Sequence, residues 1–154
     1  MYNANMNDDA TKKTLELILT HALKLLARRP QSEYELKFKL SRFGNRNKIS
    51  DIQLIIDETV SYLKKQDLIN DISFAEWFSK QRQDFKPTSR RRLSFELSQK
   101  GVSRKIIEDT LNSYDEELAC RTLAHQKRHM KREKLIQYLL RLGFGWDVVE
   151  DALS

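Results

Sequence analysis

Read along its apolar and polar positions, the chain repeats itself. Three six-residue phrases share the order apolar-apolar-acidic-acidic-small-apolar: residues 55–60 (Ile55 to Val60), 106–111 (Ile106 to Leu111) and 148–153 (Val148 to Leu153). Ahead of each, a leucine precedes a glycine by four residues: Leu40 and Gly44, Leu97 and Gly101, Leu139 and Gly143. From glycine to phrase the interval is five residues in the last two copies and eleven in the first, which reads as a loop with six extra residues. Self-similarity at a period of roughly 20 to 50 residues marks an array of supersecondary units. The spacing predicts an α-helical repeat protein.

Apolar residues at three- and four-residue intervals predict about nine helices in three sets. In the first set, Asp8 or Asp9 caps a long helix with the stripe Leu15, Ile18, Leu19, Ala22, Leu25 and Leu26, which Pro30 stops. Ser32 with Glu35 forms a capping box, in which side chains and free backbone N–H groups satisfy each other. The helix it opens ends at Gly44 in a left-handed C-cap. Ser50 with Gln53 reads as a second box, opening the helix of the first phrase. In the second set, Asp71 is the expected cap for a helix with Phe74, Ala75, Trp77 and Phe78. Pro87-Thr88-Ser89 precedes a helix from about Arg90 to Lys100, and Ser103 caps the next. The third set places Leu118, Cys120, Thr122 and Leu123 in one helix, and Leu135, Tyr138, Leu139 and Leu142 in another. Its last helix carries Trp146 and Val149, with Asp147 as the expected cap. Residues 125–132 contain no Pro or Gly, so the first two helices of that set read either as separate or as one bent helix. Trp77 and Trp146, at helical spacing from other apolar residues, read as core anchors.

Each short amphipathic helix can bury its stripe only against neighbours, so triplets pack and stack. The expected architecture is all-α: a tandem array of three three-helix repeats, elongated and curved, with an N-terminal helical extension. The boundaries are 1–9 for a disordered or flexible N-terminus, 10–65 for the first repeat with its extension, 66–114 for the second, and 115–154 for a shortened third.

Charge refines this picture. The chain of 154 residues carries a net +6, with Cys120 its only cysteine. Residues 78–105 hold a net +7, residues 106–120 a net −5, residues 121–141 a net +6 and residues 142–154 a net −3. The sign thus follows the repeat, basic ahead of each later phrase and acidic on it. Such segregation attracts a polyanion to one side. A lone cysteine excludes an intramolecular disulfide, and no segment resembles a signal peptide or a membrane span. The expected compartment is the cytoplasm, with no membrane association.

Candidate chemistry is thin. His125 and His129 share a helix face as two zinc ligands could, but Cys120 stands off that face, and Lys127, Arg128, Lys131 and Arg132 repel a cation. Two surface histidines on a basic helix is the better reading. The acidic pairs of the phrases are sequence neighbours, which point about 100° apart on a helix and read as solvated faces. No phosphate-binding glycine loop, nucleophile elbow or metalloprotease motif occurs. No catalytic residue, cofactor site or metal site is expected.

The arginine triplet Arg90-Arg91-Arg92 is the strongest candidate, because cations at a helix start oppose the helix dipole. Guanidinium groups suit phosphate or carboxylate oxygens. Phe95 stands off the Leu93/Leu97 stripe and on the arginine face, where it reads equally as an exposed contact residue or as packing on a neighbouring repeat. The expected contact set is Arg82, Lys86, Arg90, Arg91, Arg92, Phe95, Lys100, Arg104, Lys127, Arg128, Lys131, Arg132 and Arg141.

Several stretches carry a resemblance to a known family. They are Ala22-Leu23-x-Leu25-Leu26, then Arg29-x-x-Ser32-Glu33-x-Glu35-Leu36, then Leu68-Ile69-x-Asp71-x-x-Phe74-Ala75. Arg92-Leu93-x-x-Glu96-Leu97-x-x-Lys100-Gly101-Val102 follows, then Ile106, and Leu139-x-x-Leu142-Gly143-Phe144 with Val148 closes the series. In this order, over residues 20–153, the chain resembles the RecX regulatory proteins, modulators of the RecA recombinase. The resemblance implies tandem three-helix repeats without catalytic activity. It implies binding in the groove of the RecA–DNA filament and inhibition of RecA recombinase, ATPase and coprotease activities, with roles in homologous recombination, DNA repair and the SOS response. The partners implied are RecA in its DNA filament and the backbone of single- or double-stranded DNA, met by a monomer. Lys86-Pro87-Thr88-Ser89 departs from the family, which commonly has a glycine there, and the third set is shorter than usual around Arg128 to Arg132. The competing readings are a stand-alone helix-turn-helix DNA-binding regulator and a protein-binding helical adaptor.

Overall fold

In the computed structural model, residues 9–154 are described. Among them the chain forms nine helices and no strand: α1 (Asp9–Arg28), α2 (Glu33–Arg46), α3 (Ile52–Lys65), α4 (Asp71–Phe85), α5 (Arg90–Gln99), α6 (Arg104–Asn112), α7 (Glu116–Gln126), α8 (Arg132–Arg141) and α9 (Trp146–Leu153). The expected N-terminal segment, and Asp8 as a candidate cap, lie outside the described residues apart from Asp9, which begins α1. The chain divides into two compact units, one up to Phe74 and one from Ala75 to Ser154.

In the first unit, α1 packs on α2 and α3, and α2 on α3. Ile18 and Ala22 of α1, Leu36 and Leu40 of α2, and Ile56, Val60 and Leu63 of α3 close the core. Fully burying a leucine or isoleucine side chain contributes about 2 kcal/mol. In the second unit, α5 packs on α6, and α7, α8 and α9 pack on one another. Leu93 and Leu97 of α5, Ala119 and Cys120 of α7, Leu139 of α8 and Val149 of α9 are buried there.

The glycines do different work in different copies. α5 ends when Gly101 enters the left-handed region (φ 72), with its N–H on the Ser98 carbonyl and the Val102 N–H on that of Leu97. α8 ends in the same way at Gly143 (φ 96), with Phe144 N–H on the Leu139 carbonyl. Gly44 does not repeat this. It is buried inside α2, which runs on to Arg46, and Lys48 takes the left-handed position (φ 53), its N–H on the Asn45 carbonyl. A Cβ on Gly44 would collide with the Ile52 side chain, so this glycine permits a close approach rather than a turn. Lys48 is thus the counterpart of Gly101 and Gly143, and most of the extra residues of the first copy form further helix, not loop.

Three expected caps are corrected by geometry. Asp51, not Ser50, precedes α3; it is left-handed (φ 52) and makes no side-chain cap bond, while Gln53 bonds Asp57 instead. Asn70, not Asp71, caps α4, its Oδ1 accepting the N–H groups of Ile72 and Ser73. Gly145 precedes α9, so Asp147 lies inside the first helical turn. The caps expected at Ser32 and Ser103 are present, accepting the N–H groups of Glu35 and Ile106. α7 and α8 are separate, because α7 stops at Gln126 with Lys127 as its C-cap. Trp146 is 60% exposed and is no core anchor. Trp77 is half-buried, its ring inclined at 60° to that of Phe78. Leu118 faces outward, one residue ahead of the buried Ala119-Cys120 pair. The acidic pairs of all three phrases are exposed, and Glu108 and Asp109 each meet a base one turn earlier, Arg104 and Lys105. No described helix is long and apolar enough to cross a membrane.

Candidate functional site

The two prolines of the chain stand in the same register, two residues before the serine that caps a middle helix: Pro30 before Ser32 and Pro87 before Ser89. Ser89 Oγ accepts the Arg92 N–H at 3.2 Å and donates to the Leu142 carbonyl at 2.8 Å. The start of α5 is thereby fixed against the end of α8. Gly143 lies at this junction, where a Cβ would fall 2.8 Å from Ser89 Oγ and 3.6 Å from the Arg91 side chain. Thr88 is held by Tyr114, whose hydroxyl donates to its carbonyl at 2.8 Å and accepts its N–H at 3.3 Å. Burial raises the Tyr114 pKa above the ordinary phenol value.

This junction accounts for arginines at a helix start. The Arg90 N–H donates to Glu116 Oε1 at 2.8 Å, and its guanidinium donates to the Tyr114 carbonyl, just past the end of α6, at 3.0 Å. The negative end of α6 thus compensates a position that the dipole of α5 disfavours. Arg132 opens α8 and donates to the Leu153 carbonyl at the end of α9, at 2.9 Å. In the first repeat the tie has reversed polarity: Glu33 opens α2 and pairs with Lys64, in the last turn of α3, at 2.9 Å. This bond holds the Glu33 carboxyl below its ordinary pKa and raises that of Lys64. The first residue of each middle helix is thereby tied to the end of the third helix of its own repeat.

The remaining expected contact residues divide into tied and untied groups. Glu96 takes Arg82 Nε at 2.6 Å and Arg92 Nε at 3.2 Å, and Arg82 also lies over the Phe78 ring, 4.4 Å from its centroid. Arg104 pairs with Glu108 in an exposed bridge, which solvent screens to a few tenths of a kcal/mol. Arg128 meets His125 Nε2 at 2.8 Å, and Lys127 lies 6.0 Å from the Tyr138 ring centroid. Lys100 is half-buried as the C-cap of α5. Lys86, Arg91, Lys131 and Arg141 are exposed and make no ion pair among the described residues. Phe95 is 63% exposed, so it projects outward rather than packing on a neighbouring repeat.

The Cys120–His125–His129 set does not converge. Cys120 is wholly buried and its thiol is pushed up to about 11, first by burial and then by Glu116. Both histidines are exposed, and His125 already meets Arg128. Among the described residues no three His, Cys, Asp or Glu side chains stand together as a metal would need.

The structure adds a second basic region, outside the expected contact set. In the first unit, Tyr34, Phe38 and Arg42 follow one another at four-residue spacing on the exposed side of α2, with Arg46 one turn further. His21 of α1 stacks on Phe43, ring centroids 4.0 Å apart and planes 13° apart. Burial, then Arg46, Lys24 and Arg28, hold the His21 pKa below its ordinary value. The signal in sequence is residues 37–48, which carry five bases and no acid.

Comparison with known proteins assigns the family. A profile described as RecX, second three-helix domain, matches residues 70–111, which contain α4, α5 and all of α6 but its last residue. The chain is 36% identical to a regulatory protein RecX of Chlorobium phaeobacteroides (strain BS1) over 156 aligned residues, covering 97% of each chain. It is 30% identical to that of Chlorobium limicola over 87% of this chain and 86% of that one. The crystal structure of RecX from Lactobacillus salivarius superposes with a TM-score of 0.73 at 25% identity, covering 92% of this chain and 96% of that one. With relatives aligned over most of both chains and the same helical repeat fold, the chain belongs to the RecX family of regulatory proteins.

Proposed function

We propose that this protein binds the RecA–DNA filament through the basic surface of its second and third repeats and thereby inhibits RecA recombinase, ATPase and coprotease activity. The observation that carries this reading is the start of α5. There Arg91 stands exposed and makes no ion pair among the described residues, while its neighbours Arg90 and Arg92 are anchored by Tyr114, Glu116 and Glu96. The anchored neighbours fix the helix start from which the Arg91 side chain projects. Lys86, Phe95, Lys131 and Arg141 supply further exposed contacts, and the tied bases add to the local field. The protein acts as a cytoplasmic monomer without a catalytic step. The oxyanions it meets are DNA phosphates or carboxylates of RecA.

Partner dependence tests this. Binding is measured to RecA filaments and to bare duplex of the same length, across a range of salt. Tighter binding to the filament, weakened by Arg91→Ala, is the expected result. Equal affinity for bare duplex and filament means instead a stand-alone DNA-binding regulator, and an affinity indifferent to salt means a protein adaptor.

A further inference from the structure

The outward side of α2 carries Tyr34, 57% exposed, and Phe38, 54% exposed, one helical turn apart. Two exposed rings about 6 Å apart along a helix axis leave room for one flat group against each. Arg42 follows on the same side, its guanidinium carbon 5.9 Å from the Phe38 centroid, and Arg46 comes next. Among the described residues neither arginine makes an ion pair, nor does Lys48, two residues after Arg46. Of the acids of α2, Glu33 is already engaged by Lys37 and Lys64, and Glu35 by Arg29.

The register is not accidental to this helix. Phe38 stands six residues after the cap Ser32, and Phe95 stands six residues after the cap Ser89, equally exposed on α5. Gln137 holds this position in α8. A buried role explains neither phenylalanine, and α2 supplies no exposed aliphatic residue between the rings and the arginines. Two flat rings followed by two cations that make no ion pair among the described residues complement a polyanion that carries flat groups.

We propose that this side of α2 is a single-stranded nucleic-acid site, with bases stacked on Tyr34 and Phe38 and phosphates met by Arg42 and Arg46. Stacking of this kind is indifferent to base identity and needs unpaired bases, so duplex is a poor ligand for it. The site requires no recombinase, so its test and that of RecA inhibition fail separately.

The test uses the full chain alone and a labelled oligothymidylate, followed by fluorescence anisotropy, with a duplex of equal length as comparison. The double substitution Tyr34→Leu and Phe38→Leu keeps helix propensity and removes the rings. It is expected to weaken strand binding roughly tenfold or more and duplex binding by less than twofold. Arg42→Gln is expected to lower the salt dependence of strand binding by about 0.7 in log–log slope. In Phe38→Trp, strand binding is expected to quench the new indole. Absence of strand binding by the unsubstituted chain, equal losses on strand and duplex, or an unquenched indole overturns the site. So does loss of RecA inhibition with strand binding intact, which makes this side of α2 a protein-docking surface.

Discussion

Glu116 Oε1 accepts the backbone N–H of Arg90 at 2.8 Å, so the first residue of α7 satisfies the first free N–H of α5. Asp71 does the same for α2 through the N–H of Glu33 at 2.9 Å, and Asp71 likewise opens the next repeat's first helix. A carboxylate on a helix N-terminal N–H also complements the dipole. Asp71→Ala and Glu116→Ala should therefore each lower stability by about 1 kcal/mol, as for loss of a helix cap. Urea midpoints measure this. Asp71→Asn keeps an acceptor and should lose less.

The three arginines at the head of α5 should separate under substitution. Arg90→Ala removes a bond to the Tyr114 carbonyl and should cost about 1 kcal/mol. Arg91→Ala removes no side-chain bond among the described residues and should leave the thermal midpoint unchanged while weakening filament binding. Arg92→Ala leaves Glu96 with Arg82 and should fall between them. Thermal unfolding and filament binding, measured on the same three variants, check the separation. Equal effects on both would place all three in the scaffold.

Tyr114→Phe tests the junction from within. The hydroxyl serves both the N–H and the carbonyl of buried Thr88. Phenylalanine fills the ring volume but leaves both groups without their partner, at about 1–3 kcal/mol. The loss should appear in the urea midpoint with no change in helical circular dichroism.

His21 sets an expectation for pH. Its folded pKa lies below the ordinary imidazole value of about 6.5, so the unfolded chain takes up the proton first as pH falls. Stability from the neutral ring is complete above that value and declines as pH drops below it toward the folded pKa. Urea midpoints at pH 7.5 and pH 5.5 should show the decline, and His21→Phe, which keeps a ring against Phe43, should reduce it. A midpoint with the same pH response in both proteins would contradict this.

Periodicity alone makes the repeat legible. Apolar spacing places the stripes of α1, α2, α3 and α5, and Ser32 and Ser103 announce their helices because local capping involves residues close in sequence. What spacing cannot show is which of two neighbouring groups wins a hydrogen bond. Asp71 resembles a cap in sequence, but Asn70 caps while Asp71 reaches Glu33, 38 residues away. Gly44 resembles Gly101 until Ile52 is seen pressing on it. The same holds for the candidate site. The arginine cluster is visible as charge, but its division into anchored Arg90 and Arg92 and untied Arg91 depends on Tyr114, Glu116 and Glu96. Trp146 misleads for a related reason, since helical spacing from Val149 does not fix which side of α9 is covered.

We propose that this RecX-family chain restrains RecA. The most direct test is ATP hydrolysis by RecA on single-stranded DNA, with the protein titrated in at sub-stoichiometric ratios. Hydrolysis should fall well before one copy per RecA is reached, and Arg91→Ala should shift the titration to higher ratios. Hydrolysis that stays constant up to equimolar protein, with the helical fold intact, would contradict the account.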